Sequence, residues 1–128
     1  MILRKMMSLV GVGSASIDLI LPKVVYQQGE VICGYFEIKG GLVEQQLKRV
    51  ECDLVQFKRK EEDRILDTAT ILSSTIIKAE ELYKISFTFR LPEEMPCSGE
   101  SQSYGFKTRL IFDEGVKSVD HDPIKIIS

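Results

Sequence analysis

The residues best equipped for chemistry lie near the carboxyl end. His121 is flanked by Asp120 and Asp122, and Asp113 and Glu114 stand a few positions earlier. Carboxylates at this density suit a hard cation, since calcium accepts about six to eight oxygen ligands in irregular geometry. Asp113, Asp120 and Asp122 are the candidate metal ligands. Aspartates ahead of a proline, here Pro123, are also ordinary turn formers. The segment is therefore read as a turn, with no metal or other cofactor expected. His121 is the sole histidine, which removes any multi-histidine metal centre and confines histidine acid–base chemistry to one place.

The remaining catalytic patterns are incomplete. Gly13-Ser14-Ala15-Ser16 lacks the second glycine of a nucleophile elbow, and that elbow belongs between a strand and a helix. Gly11-Val12-Gly13 is a fragment of a phosphate loop without the Lys-Ser/Thr that completes one. Glu61, Glu62 and Asp63 adjoin one another on a charged stretch, where exposed carboxylates are not desolvated as a paired catalytic site requires. Cys33, Cys52 and Cys97 are too widely spaced for a C-x-x-C zinc or redox site. Cys33 and Cys52 fall in apolar strand patterns and are expected to be small buried thiols in a reducing compartment. The chain is not expected to be an enzyme.

Two alternating runs supply the scaffold. Tyr83, Ile85, Phe87, Phe89 and Leu91 alternate with Lys84, Ser86, Thr88 and Arg90; after Pro92 and Pro96, Tyr104, Phe106, Thr108, Leu110 and Phe112 repeat the pattern. Period two means one buried face and one wet face. Further strand-like runs cover Ala15 to Leu21, Val31 to Lys39, Leu47 to Phe57, Ile65 to Lys78 and Ile124 to Ile127. Seven strands separated by turn signals predict a sandwich. Gly29-Glu30 and Gly40-Gly41 mark turns, and Lys58 to Arg64 reads as a solvated hairpin tip. At the amino end Ile2, Leu3, Met6, Met7 and Val10 recur at helical spacing, which predicts a short amphipathic helix over residues 1–13 that caps one open end of the sandwich.

The 128 residues fit one domain over 1–128, all-β in class. A formal charge of -2 leaves no basic field to recruit nucleic acid by counterion release. The amino-terminal apolar run is short and broken by Ser8, Gly11 and Gly13, unlike a signal peptide. A cytoplasmic location is expected, against an extracellular adhesion sandwich that would need a cleaved leader and a disulfide framework.

Several stretches resemble a known family. Val24-Val25-Tyr26-Gln27-Gln28-Gly29-Glu30-Val31, followed by Gly34, is similar to the first-domain arrestin pattern; Phe89-Arg90-Leu91-Pro92-Glu93-Glu94-Met95-Pro96-Cys97-Ser98 is similar to a later segment of that fold. More narrowly, Gly11-Val12-Gly13-Ser14-Ala15, Gly40-Gly41-Leu42-Val43-Glu44-Gln45, and the stretch from Thr108-Arg109-Leu110 to Asp120-His121-Asp122 resemble the bacterial sporulation-control protein M family. The resemblance implies an arrestin-like, immunoglobulin-like antiparallel β-sandwich and a non-enzymatic regulatory role in sporulation or stress control. Family members usually continue into a second arrestin-like lobe.

Two function classes follow. In the first, the chain is a protein-interaction module that accepts an extended partner segment by strand addition, with Ile17, Leu19 and Ile20 on the candidate acceptor edge. A homodimer would use the edge at Ile65 to Ile77, with Ile71, Ile76 and Ile77 supplying apolar weight. In the second, a calcium- or lipid-responsive sandwich binds a membrane surface through the amino-terminal helix; Arg4 and Lys5 are few cations for that work.

Overall fold

The computed structural model describes residues 14–113 and 115–128. The amino-terminal helix expected over residues 1–13 lies outside the described residues. Within them the chain forms nine strands and no helix: β1 (Ser16–Ile20), β2 (Val25–Gln27), β3 (Val31–Lys39), β4 (Gln45–Lys58), β5 (Arg64–Leu72), β6 (Ile76–Ile77), β7 (Leu82–Arg90), β8 (Gln102–Phe112) and β9 (Gly115–Ile127).

The alternating runs fold as their period dictates. Phe87, Phe89 and Leu91 are buried from β7 and its end, and Tyr104, Phe106, Thr108, Leu110 and Phe112 are all buried from β8. Between them the rings of Phe36, Phe87, Phe89 and Phe106 interlock, with Phe87–Phe106 and Phe89–Phe106 centroids 5.5 and 5.3 Å apart in edge-to-face contact. Such pairs add roughly 0.5–1.5 kcal/mol each beyond the area they bury. This cluster joins a three-stranded sheet, ordered β1-β3-β7, to a six-stranded sheet in which β2-β9-β8-β4-β5 lie side by side and β6 pairs with the start of β4. All pairings are antiparallel except β2 with β9, which is parallel.

Four sequence expectations change. The run Ile65 to Lys78 is two strands, because Ser73–Thr75 leaves the ladder: Ser73 Oγ donates to Thr75 Oγ1 at 2.9 Å, and Leu47 N–H donates to the Thr75 carbonyl at 2.9 Å. The strand expected at Ile124 is only the end of β9, which starts at Gly115 and runs through Asp120 and Asp122. Those aspartates are strand residues, not turn formers, since β9 sets them opposite Thr108 and Phe106 of β8. Cys33 is exposed on the outer face of β3, whereas Cys52 is buried as expected; all three thiols are free.

The turns carry their own reasons. Gly29 has φ +75° beside the bond from Glu30 N–H to the Gln27 carbonyl, as a glycine turn requires. Gly40 is glycine for a different reason, since a Cβ there would lie 2.0 Å from the Lys78 carbonyl oxygen. That close approach packs the β3–β4 loop on the β6–β7 turn, where Gly40 N–H donates to the Glu81 carbonyl at 2.8 Å.

The loop between β7 and β8 is pinned rather than free. Leu91 and Met95 are buried, Tyr104 Oη donates to the Pro96 carbonyl at 2.6 Å, and Ser98 Oγ accepts the Ile126 N–H at 2.9 Å. These bonds give the Leu-Pro…Pro-x-Ser stretch its work: it closes one end of the sandwich and ties β9 to it.

Candidate functional site: one sealed edge and one open edge

An edge strand offers a row of unpaired backbone donors and acceptors, so its chemistry is decided by whatever covers them. On β1 they are covered. Ile17 N–H donates to Ser118 Oγ at 3.2 Å and Leu19 N–H to Asp120 Oδ2 at 3.0 Å, both buried. Ser118 and Asp120 reach across from the inner face of β9, where they are 1% and 2% exposed. The two side chains replace a backbone ladder between the sheets and seal β1. Ile17 and Leu19 themselves point into the core, and Ile20 alternates with Leu19, so its N–H faces β3 opposite Tyr35. The acceptor edge expected at Ile17, Leu19 and Ile20 is therefore closed, and a proline at Ile20 would break the domain's own sheet.

The same seam collects carboxylates. Asp18, Asp120 and Asp122 each bring an oxygen within 4.8 Å of the others, and these are the described residues that could hold a metal ion. Asp113 is not among them. It lies exposed in the turn after β8, where its N–H donates to the Gln46 carbonyl at 3.3 Å. Asp18 was missed by sequence reasoning because it sits at the opposite end of the chain and reads as the wet side of an ordinary strand. His121 faces away from the cluster, its ring 5.4 Å from Phe57 on the outer face of the large sheet.

No activated nucleophile stands near the seam among the described thiols. Burial pushes the Cys52 thiol up to about 12, so it stays protonated at neutral pH. Thr108 Oγ1 donates to its sulfur at 3.4 Å.

The outer face of β4 and β8 carries an ion network. Arg109 bridges Glu51 at 2.8 Å and Asp53 at 2.9 Å, Arg49 meets Glu51 at 2.7 Å, and Thr68 Oγ1 donates to Asp53 Oδ1 at 2.8 Å. Hydrogen bonds from Arg49 and Arg109 hold the Glu51 carboxyl below its ordinary value. Arg109 is in turn held above its usual value, chiefly by the bond to Asp53. The network clamps β4, β8 and β5 together.

Among the described residues, no strand pairs with the other edge of the small sheet, β7. At the two ends of its pairing with β3, Gly40 N–H donates to the Glu81 carbonyl and Leu91 N–H to the Glu30 carbonyl. Odd positions are thus bonded to β3. Alternation sends the backbone N–H and C=O of Leu82, Lys84, Ser86, Thr88 and Arg90 outward. Those five side chains are all exposed, and none of them is acidic. On β5, the free edge of the large sheet, Thr68 N–H is already taken by Asp67 Oδ1 at 2.9 Å. Ile71 from β5 is half-buried against the core, Ile77 is buried and Ile76 is exposed, so only one of the three isoleucines expected at a dimer edge presents its side chain to solvent. Among the described residues, no helix is long and apolar enough to cross a membrane.

Two stacked sheets, closed by the Leu91–Ser98 loop and sealed at β1, define an arrestin-like β-sandwich. The chain belongs to the SpoOM protein family, whose model matches residues 3–128. It is 30% identical over 128 residues to the sporulation-control protein Spo0M of Bacillus subtilis strain 168, an alignment covering 94% of this chain and 50% of that protein. The chain thus spans about half the length of its curated relative. The crystal structure of Bacillus subtilis Spo0M superposes with a TM-score of 0.80 at 26% identity, covering 91% of this chain and 51% of that one. More distant likenesses concern the fold alone. A Niemann-Pick type C2 protein from Japanese carpenter ant matches with a TM-score of 0.61 at 13% identity, over 91% of this chain and 96% of that one. A CARDB domain from Pyrococcus furiosus matches with a TM-score of 0.54 at 10% identity, over 89% and 86%.

Proposed function

We propose that this chain is a non-enzymatic regulatory module of the sporulation-control type. It acts in the cytoplasm and captures an extended, acidic segment of a partner protein as an added strand on β7. Family membership supports the regulatory role, and the backbone geometry of β7 supports the mechanism. The observation that carries the reading is the contrast between edges: β1 has its outward N–H groups taken by Ser118 and Asp120, while β7 turns five alternate positions to solvent. Main-chain bonds supply affinity in strand addition and side chains supply choice. Lys84 and Arg90 stand on that edge with no acidic residue at its outward positions, which selects for acidic residues in the added strand.

The test is selection of peptides about twelve residues long from a displayed library on the intact chain, repeated with Ser86→Pro and Lys84→Glu. Ser86 N–H points away from β3, so proline there removes a donor from the open edge and leaves the sheet's own ladder intact. The reading expects enrichment of extended acidic sequences, loss of binding in Ser86→Pro, and reversed charge preference in Lys84→Glu. Binding that survives Ser86→Pro, with the fold retained by circular dichroism, would remove β7 as the acceptor.

A further inference from the structure

The two sheets differ in width, and the difference falls beside β7. β1 lies against β9, because Ile17 and Leu19 bond to Ser118 and Asp120. β7 stands two places further along the small sheet and packs Phe87 and Phe89 on Phe106 of β8. The large sheet continues past that contact through β4 to β5. Strands lie about 4.8 Å apart within a sheet, so β5 reaches beyond the last strand described in the small sheet.

The overhanging face of β5 is apolar. Ala69 and Ile71 are in register with Cys52 and Val50, which are buried in the core. Cross-strand partners share a face, so both turn toward the small sheet, and Leu66 at the β5 bulge packs on the core beside them. All three are half-buried, as are Tyr83 and Ile85 on the inner side of β7, whereas Phe87 and Phe89 are sealed. Toward the end of β7 the gap between the two strands widens into a cleft of about 320 Å³, lined by Arg64 and Leu66 on one side and by Pro92 and Met95 on the other.

We infer that the segment captured on β7 is a two-faced strand of a partner protein, in which acidic and apolar residues strictly alternate. The inference rests on β7 as the acceptor. A strand added there stands over β5, so every second side chain enters the gap onto Leu66, Ala69 and Ile71. The intervening side chains lie on the outer face beside Lys84 and Arg90, which select acids. Acids on the inward side are disfavoured, because Asp67, in register with Leu54, is exposed at the gap. A second copy of β7 does not fit this description, since its own outward positions carry Lys84 and Arg90 and no acid.

The test measures, by fluorescence polarisation on the intact chain, three capped peptides about nine residues long, the length of β7. One alternates glutamate with valine, one alternates glutamate with serine, and one is a scramble of the first. The valine peptide should bind about tenfold or more tightly than the other two. Ala69→Phe, which fills the gap, and Ile71→Ser, which makes it polar, should each weaken the valine peptide about tenfold while melting of the sandwich stays cooperative. Ser86→Pro should abolish binding altogether. Equal affinity for the valine and serine peptides, lost for both in Ser86→Pro, would overturn the two-faced strand and leave β7 standing as the acceptor. Binding of the valine peptide that survives Ser86→Pro and is lost in Ala69→Phe would overturn strand addition itself, and the inference with it. So would the failure of all three peptides to bind. A dimer that Ala69→Phe dissociates would give the gap to a second copy and overturn the inference.

Discussion

Replacing Asp120 with alanine tests the seal on β1 directly. Asp120 is 2% exposed and its Oδ2 accepts the N–H of Leu19, itself 3% exposed. Alanine leaves that donor buried without its acceptor, which costs about 1–3 kcal/mol. Asp120→Asn keeps a side-chain oxygen at the same reach and removes one charge from a site where Asp18 and Asp122 bring oxygens within 4.8 Å, so its cost should stay below about 1 kcal/mol. For a domain of this size each kcal/mol moves Tm by about 4 °C, so the alanine variant should melt about 4–12 °C lower and the asparagine variant within about 4 °C of the parent. Urea titration followed by circular dichroism gives the free energies, and amide exchange locates them. Leu19 should exchange faster in Asp120→Ala while Phe36 and Phe106 keep their protection. Equal stability of Asp120→Ala and the parent to within about 0.5 kcal/mol, with Leu19 exchange unchanged, would refute the claim that a side chain closes this edge.

Two further expectations concern chemistry at single residues. Cys52, with its thiol pushed up to about 12 by burial, should resist iodoacetamide in the native state at about pH 8, whereas exposed Cys33 is modified; peptide mapping by mass spectrometry reads both, and modification of Cys52 at the rate of Cys33 would contradict its burial. Glu51 has its folded-state pKa lowered by Arg49 and Arg109, so its contribution is present above the unfolded carboxylate value and lost as pH falls through the folded one. The Tm difference between the parent and Glu51→Gln should accordingly be widest near neutral pH and shrink on acidification below about pH 4; a gap independent of pH would show that the charge of Glu51 contributes nothing.

How much of the fold and site was legible depended on whether a residue's role was local. The faces of β7 and β8 were readable from Tyr83 to Leu91 and from Tyr104 to Phe112 because period two is a property of the strand alone. The turn at Gly29 was readable for the same reason. Asp120 was misread as a turn former because its type argues for a wet, flexible place. Only the approach of β1, with Leu19 101 residues earlier, gives it a buried donor to accept. Asp53 is a similar case: its alternation with Val50, Cys52 and Leu54 predicts exposure, yet it is 4% exposed beneath Arg109 and Thr68.

By itself the sequence determined that this chain is an all-β sandwich with one apolar face per strand, because alternation and turn residues act over a few positions and need no partner to be read; its arrestin-like character was implied by family resemblance, not by period. Which edge is sealed and which is open was decided only by the tertiary structure. The pattern around Ile17 and Leu19 does not differ in kind from that around Ile85 and Phe87: β1 and β7 both alternate, and both are the outermost strands of the same sheet. The difference lies in Ser118 and Asp120, which meet the backbone of β1 across the interface between the sheets. Hydrogen bonding between distant residues is a matter of three-dimensional placement, and no local period encodes it.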